Sequence, residues 1–219
     1  MRRILHEHGL TITLLVMFFF SIIGQAIAGA HAYDDDQRDH GQPEVGVLGY
    51  LTTGQFVESV FENWESEFLQ MGVYVLLTAY LYQKGSAESK APDEPEEVDE
   101  DPRAARGRPD APWPVRRGGP ILTAYEHSLS TVLLLLFVLS FVLHAAGGAR
   151  AYSHEQLLHG GEAVSLLGYL ATSQFWFESF QNWQSEFLSI AVVVALSIFL
   201  RERGSPESKP VAAPHSETA

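Results

Sequence analysis

The chain has 219 residues, 46% of them hydrophobic, and a formal net charge of −13. So acidic a chain lacks the basic face that phosphates demand, and no nucleic-acid partner is expected. Cysteine is absent, which excludes disulfides, thiol catalysis, iron–sulfur clusters and thiolate metal sites.

The first apolar block runs from about Leu10 to Ala30, about 21 residues, enough to cross a hydrocarbon core of about 30 Å. A cleaved signal peptide is the competing reading, with Arg2 and Arg3 ahead of the block and Ala30-His31-Ala32 as a cleavage site. The same block recurs at about Leu129 to Ala149, in mid-chain where no signal peptide can lie, so an uncleaved span is expected. A polar hairpin loop follows at 31–53. Phe56, Phe61, Trp64 and Phe68 then fall at spacings of five, three and four, one stripe of a helix expected over about 54–83. Thr53 is the candidate cap at its start, and Gly85 suits a position past its end. The first half of this helix is amphipathic, and its second half is apolar enough to enter a membrane.

Residues 91–120 are rich in Pro, Asp, Glu and Arg and show no apolar period, so this linker is expected to be disordered. The pattern then starts again. Residues 7–90 align without a gap onto 126–209 at an offset of 119, with 39 identities over 84 positions. GYLTTGQF (49–56) matches GYLATSQF (168–175), and KGSAESK (84–90) matches RGSPESK (203–209). Phe175, Phe180, Trp183 and Phe187 repeat the stripe on a helix expected over 173–202, capped by Thr172 or Ser173. Residues 210–219 form a polar tail, expected to be disordered.

The expected fold is an all-α membrane protein. Its four transmembrane helices form two tandem hairpins, 1–90 and 121–209, as a parallel, pseudo-two-fold repeat. About 12 of the 14 Lys and Arg residues fall in the N-terminal end, the linker and the C-terminal tail; the hairpin loops hold only Arg38 and Arg150. That asymmetry places both termini and the linker in the cytoplasm and the chain in the cell (inner) membrane.

The paired NWESEFL (63–69) and NWQSEFL (182–188) segments, each followed by a span and a KGSAESK or RGSPESK run, resemble a family of bacterial integral membrane proteins. That family is catalogued only as a domain of unknown function. The resemblance covers the chain outside the linker and the last ten residues. It implies a membrane location and a duplicated form, and no reaction, ligand or site. Glu65 and Ala87 depart from the family's Gln and Pro.

Glu67 and Glu186 are the leading candidates for a functional site. Counted back from Tyr82 and Leu200, each falls about one turn inside the outer hydrocarbon boundary, where a carboxylate needs a partner, water or an interior. Asn63 and Asn182 lie four residues earlier on the same faces. Two such pairs around one pseudo-symmetric centre suggest a proton or cation site. A shallow helix that leaves both glutamates in interfacial water, or a polar clamp between helices, explains them equally well. His40 and His159, each followed by glycine, recur in the outer loops with His31, His154 and acidic neighbours; their spacing matches no known ligand set, and no metal site is assigned. Gln25 and His144 occupy equivalent positions among small residues that permit close helix packing. No nucleophile–base order, phosphate-cradling loop or zinc signature is present, so no catalytic residue, cofactor or enzyme activity is expected. A non-catalytic membrane scaffold or interaction protein is the leading expectation, with a small proton, cation or solute conduit as its rival. The expected partners are the lipid bilayer and a second copy or another membrane protein.

Overall fold

The computed structural model describes residues 2–92 and 95–218, with the backbone alone for Arg2. Asp93 and Glu94 of the linker and Ala219 of the tail lie outside the described residues. Every long element among the described residues is an α-helix. In chain order these are α1 (Arg2–Asp39), α2 (Gly46–Tyr50), α3 (Gly54–Tyr80), α4 (Trp113–Arg117), α5 (Gly119–Glu126), α6 (Ser128–Leu158), α7 (Leu166–Leu170) and α8 (Ser173–Leu196). Two of them, α1 and α6, are long and apolar enough to cross a membrane.

α1 runs well past the expected end at Ala30, because the polar residues that follow keep one buried face. Asp34 and Gln37 on that face are 9% and 4% exposed. The backbone of α1 leaves helical values at His8 (φ −128°, ψ 16°). At His127, 119 residues on, a similar departure (φ −112°, ψ 13°) separates α5 from α6.

The chain divides into two compact units. The first comprises residues 1–62 and 141–176. In it the short α2 folds back on α1, with Tyr50 almost fully buried and its ring 5.7 Å from that of Tyr33. A Cβ on Gly29 would stand 2.5 Å from the Tyr50 hydroxyl, so only glycine admits the ring there. Tyr169 of α7 repeats the arrangement, 5.7 Å from Tyr152 and over Gly148. The GYL runs of the sequence therefore supply a tyrosine that seats on a glycine. The loops that lead into α2 and α7 are tied in matching ways. Val45 N donates to Asp34 at 2.7 Å, and Val164 N to the Ser153 hydroxyl at 3.0 Å. Thr53 and Thr172 accept from Phe56 N and Phe175 N, at 3.2 and 3.3 Å, and so cap α3 and α8.

The second unit comprises residues 63–140 and 177–219. Here α3 and α8 pair directly. The Gln70 amide donates to the Glu186 carbonyl at 2.9 Å and to the Ser189 hydroxyl at 3.2 Å, and the Ser86 and Ser197 hydroxyls meet at 2.8 Å. The side of α3 that bears Gly72 faces Leu134 of α6. After each of these helices the KGSAESK and RGSPESK runs fold alike. Ser89 accepts from Gln83 N at 2.8 Å, and Ser208 from Glu202 N at 2.9 Å. Gly85 and Gly204 turn with φ of 86° and 89°, several residues beyond the last helical residue.

The linker expected to lack structure carries 3-10 turns at Glu97–Asp99 and Pro102–Ala105, then α4 and the start of α5. Proline sits in the first positions of the second turn, of α4 and of α5. Its preset φ starts a helix locally without the apolar period by which longer helices announce themselves. In the tail the Lys209 ammonium, almost fully buried, donates to the carbonyls of Pro214, His215 and Glu217.

Candidate polar sites within each unit

In the second unit the NWESEFL turn of α3 leaves its second glutamate unburied. Glu67 and Asn63 are exposed, while Glu186 and Asn182 on α8 are half-buried. Glu186 is near enough for its charge to act on Glu67. Asn182 donates to the Glu178 carbonyl of its own helix at 3.2 Å. The buried carboxylate of this turn is Glu65, with no exposed surface, which accepts from the Trp183 indole at 3.0 Å. Ser66 beside it is also buried and donates back to the Asn63 carbonyl at 2.8 Å. The sequence points to Glu67 and not to Glu65 as the buried carboxylate. Residues two apart on a helix point about 200° apart, so a stripe of apolar positions identifies the helix more surely than the face of each polar neighbour.

A second polar cluster lies in the first unit. His144 of α6 is fully buried, and its ring stacks on Phe175 with centroids 4.9 Å apart. A ring nitrogen of His144 and a carboxylate oxygen of Glu58 on α3 lie within 4.8 Å of each other. The buried Tyr169 hydroxyl donates to Glu58 at 2.9 Å. This brings one nitrogen and one oxygen donor together, with a phenol that orients the carboxylate. At the position equivalent to His144, Gln25 donates to Ser59 at 3.1 Å, a neutral pair. His144 drew attention as a polar group in an apolar run. Glu58 carries a weaker signal: the equivalent position of the second copy is Phe177, so a charge stands where the repeat has an aromatic.

At the helix ends of the same unit the Gln37 amide donates to His154 Nε2 at 2.9 Å, and Tyr33 stacks on that imidazole with ring centres 6.3 Å apart. His40 and His159 meet with ring centroids 5.6 Å apart.

A family model described as a domain of unknown function (DUF6766) matches residues 1–219. No curated protein and no solved structure matches the chain. A match over the whole length means that the chain belongs to the DUF6766 family.

Proposed function

We propose that this is a multi-pass protein of the cell (inner) membrane, with four spans as two tandem hairpins and with both termini and the linker cytoplasmic. The membrane reading rests on α1, whose large apolar side chains are bare: Phe20 is 80% exposed and Leu10 76%, with Leu14, Val16, Met17 and Phe19 exposed between them and Ile23 beyond. Apolar surface on that scale requires lipid or protein cover. The hydrogen bonds of the two loops, of the two caps and of the two serine turns, each recurring at an offset of 119, support the tandem repeat.

Within the membrane the chain acts as a non-catalytic scaffold or interaction protein. The observation behind this is Gln70, whose amide is spent on two acceptors of a neighbouring helix. Trp183 with Glu65 and Gln25 with Ser59 follow the same pattern, in which polar groups clamp helices. The rival conduit reading has one observation in its favour, the Glu186 carboxylate close enough to Glu67 for its charge to act there.

Liposomes loaded with a pH dye separate the two. On the scaffold reading, wild type and the Glu67→Gln/Glu186→Gln double variant leak protons no faster than protein-free vesicles. A wild-type flux that the double variant removes would replace the scaffold with a conduit.

A further inference from the structure

His40 and His159 are 119 residues apart, each followed by glycine, and each stands just past the end of a long helix. Both belong to the first unit, which sets their rings 5.6 Å apart, edge to face. Each ring is fixed in the same way. Nδ1 of His40 lies 2.9 Å from the Asp36 carbonyl, and Nδ1 of His159 lies 2.9 Å from the Glu155 carbonyl. A carbonyl only accepts, so each Nδ1 carries a proton and the lone pair of each neutral ring sits on Nε2. That is the tautomer of a histidine poised to ligate a metal, its other nitrogen held by a backbone carbonyl.

The spacing fits as well. A zinc–nitrogen bond of about 2.0–2.1 Å, extended roughly 1.1 Å to each ring centre, puts two imidazoles on one tetrahedral ion about 5–5.5 Å apart. One ring of the pair has an acidic neighbour. The Asp36 carboxylate lies 3.5 Å from His40 Nδ1, and Arg38, the nearby cation, is engaged by Asp35 and Glu44.

We propose that His40 and His159 form a surface site for a divalent transition cation, with Nε2 of each ring as ligand and water in the open positions. Imidazole donors suit Zn(II), Ni(II) and Cu(II), with copper held most tightly, and discriminate against Mg(II) and Ca(II). A bound ion would link the ends of α1 and α6. The proposal is independent of whether the chain is a scaffold or a conduit.

The test is titration of tag-free, full-length protein in detergent with Cu(II) and Zn(II), alongside His40→Ala, His159→Ala and the double variant. One saturable ion per chain is expected. Each single variant should weaken it at least about tenfold and the double should abolish it, with unchanged helical content by circular dichroism. Electron paramagnetic resonance of the copper form should report two nitrogen donors. Wild-type affinity in the double variant, a single nitrogen donor, or binding that does not saturate would overturn the proposal.

Discussion

Trp183 donates its indole N–H to Glu65 across 3.0 Å, and that glutamate has no surface open to solvent. The bond fastens the NWESEFL turn of α3 to the NWQSEFL turn of α8. Removing the acceptor buries an indole N–H with one partner fewer. Glu65→Ala should therefore cost about 1–3 kcal/mol. Glu65→Gln keeps an acceptor oxygen and should cost less than half of that. Chemical denaturation in detergent, followed by tryptophan fluorescence, measures both. Equal losses in the two variants would mean that the side-chain volume matters and the hydrogen bond does not.

Two glycines on helix faces should differ in their tolerance of alanine. A Cβ on Gly147 would lie 2.5 Å from the backbone nitrogen of Glu58 and 3.0 Å from the Gly54 carbonyl, against backbone that cannot yield. On Gly72 it would lie 3.1 Å from Leu134 Cδ2, the movable end of a side chain. Gly147→Ala should lower stability by about 1–3 kcal/mol or prevent assembly, while Gly72→Ala should cost less than about 1 kcal/mol. Thermal unfolding in detergent compares them, and the reverse order would contradict the close approach of α3 and α6 at Gly147.

The linker fold should loosen in acid. Lys90 donates to Asp99, and this bond, with the backbone donor of Glu96, holds the Asp99 carboxyl below its ordinary value of 3.8. The same partner raises Lys90 above 10.5. A depressed carboxyl contributes above its unfolded pKa and loses that contribution as pH falls through the folded one; a raised amine contributes below 10.5 and loses it at still higher pH. Hydrogen exchange of Glu97–Glu100, corrected for its intrinsic rate, should be flat from about pH 5 to 9 and rise below about 4. Asp99→Asn should raise it across the flat range. The effect is small because the pair is partly solvated. No rise in the acid limb would detach the pair from the linker fold.

Orientation is open to direct labelling, since the chain has no cysteine. Gln42 and Ala104 are exposed, one in the loop after α1 and the other in the linker. On the proposed topology an impermeant thiol reagent added to intact cells labels Gln42→Cys and leaves Ala104→Cys unlabelled until the membrane is opened. The opposite pattern would invert the protein, and labelling of both would remove the span between them.

The sequence by itself determined what is local or periodic. The apolar runs from Leu10 and Leu129 lie within α1 and α6, the aromatic stripes on α3 and α8, and Thr53 and Thr172 at the caps, because each follows from hydropathy or from a neighbour within one turn. The glycine–serine runs were legible as recurrent motifs, although the turns they form needed the backbone. Tertiary structure alone decided which way each polar group faces. Glu65 and Glu67 share one heptapeptide, yet packing against Trp183 turns the first inward and leaves the second exposed. The meeting of His40 with His159, and of Glu58 with Tyr169 and His144, joins residues roughly 90 to 120 positions apart. No periodicity reports such encounters, because they depend on how helices rotate and approach to bury side chains, a property of the assembled core and not of any one segment.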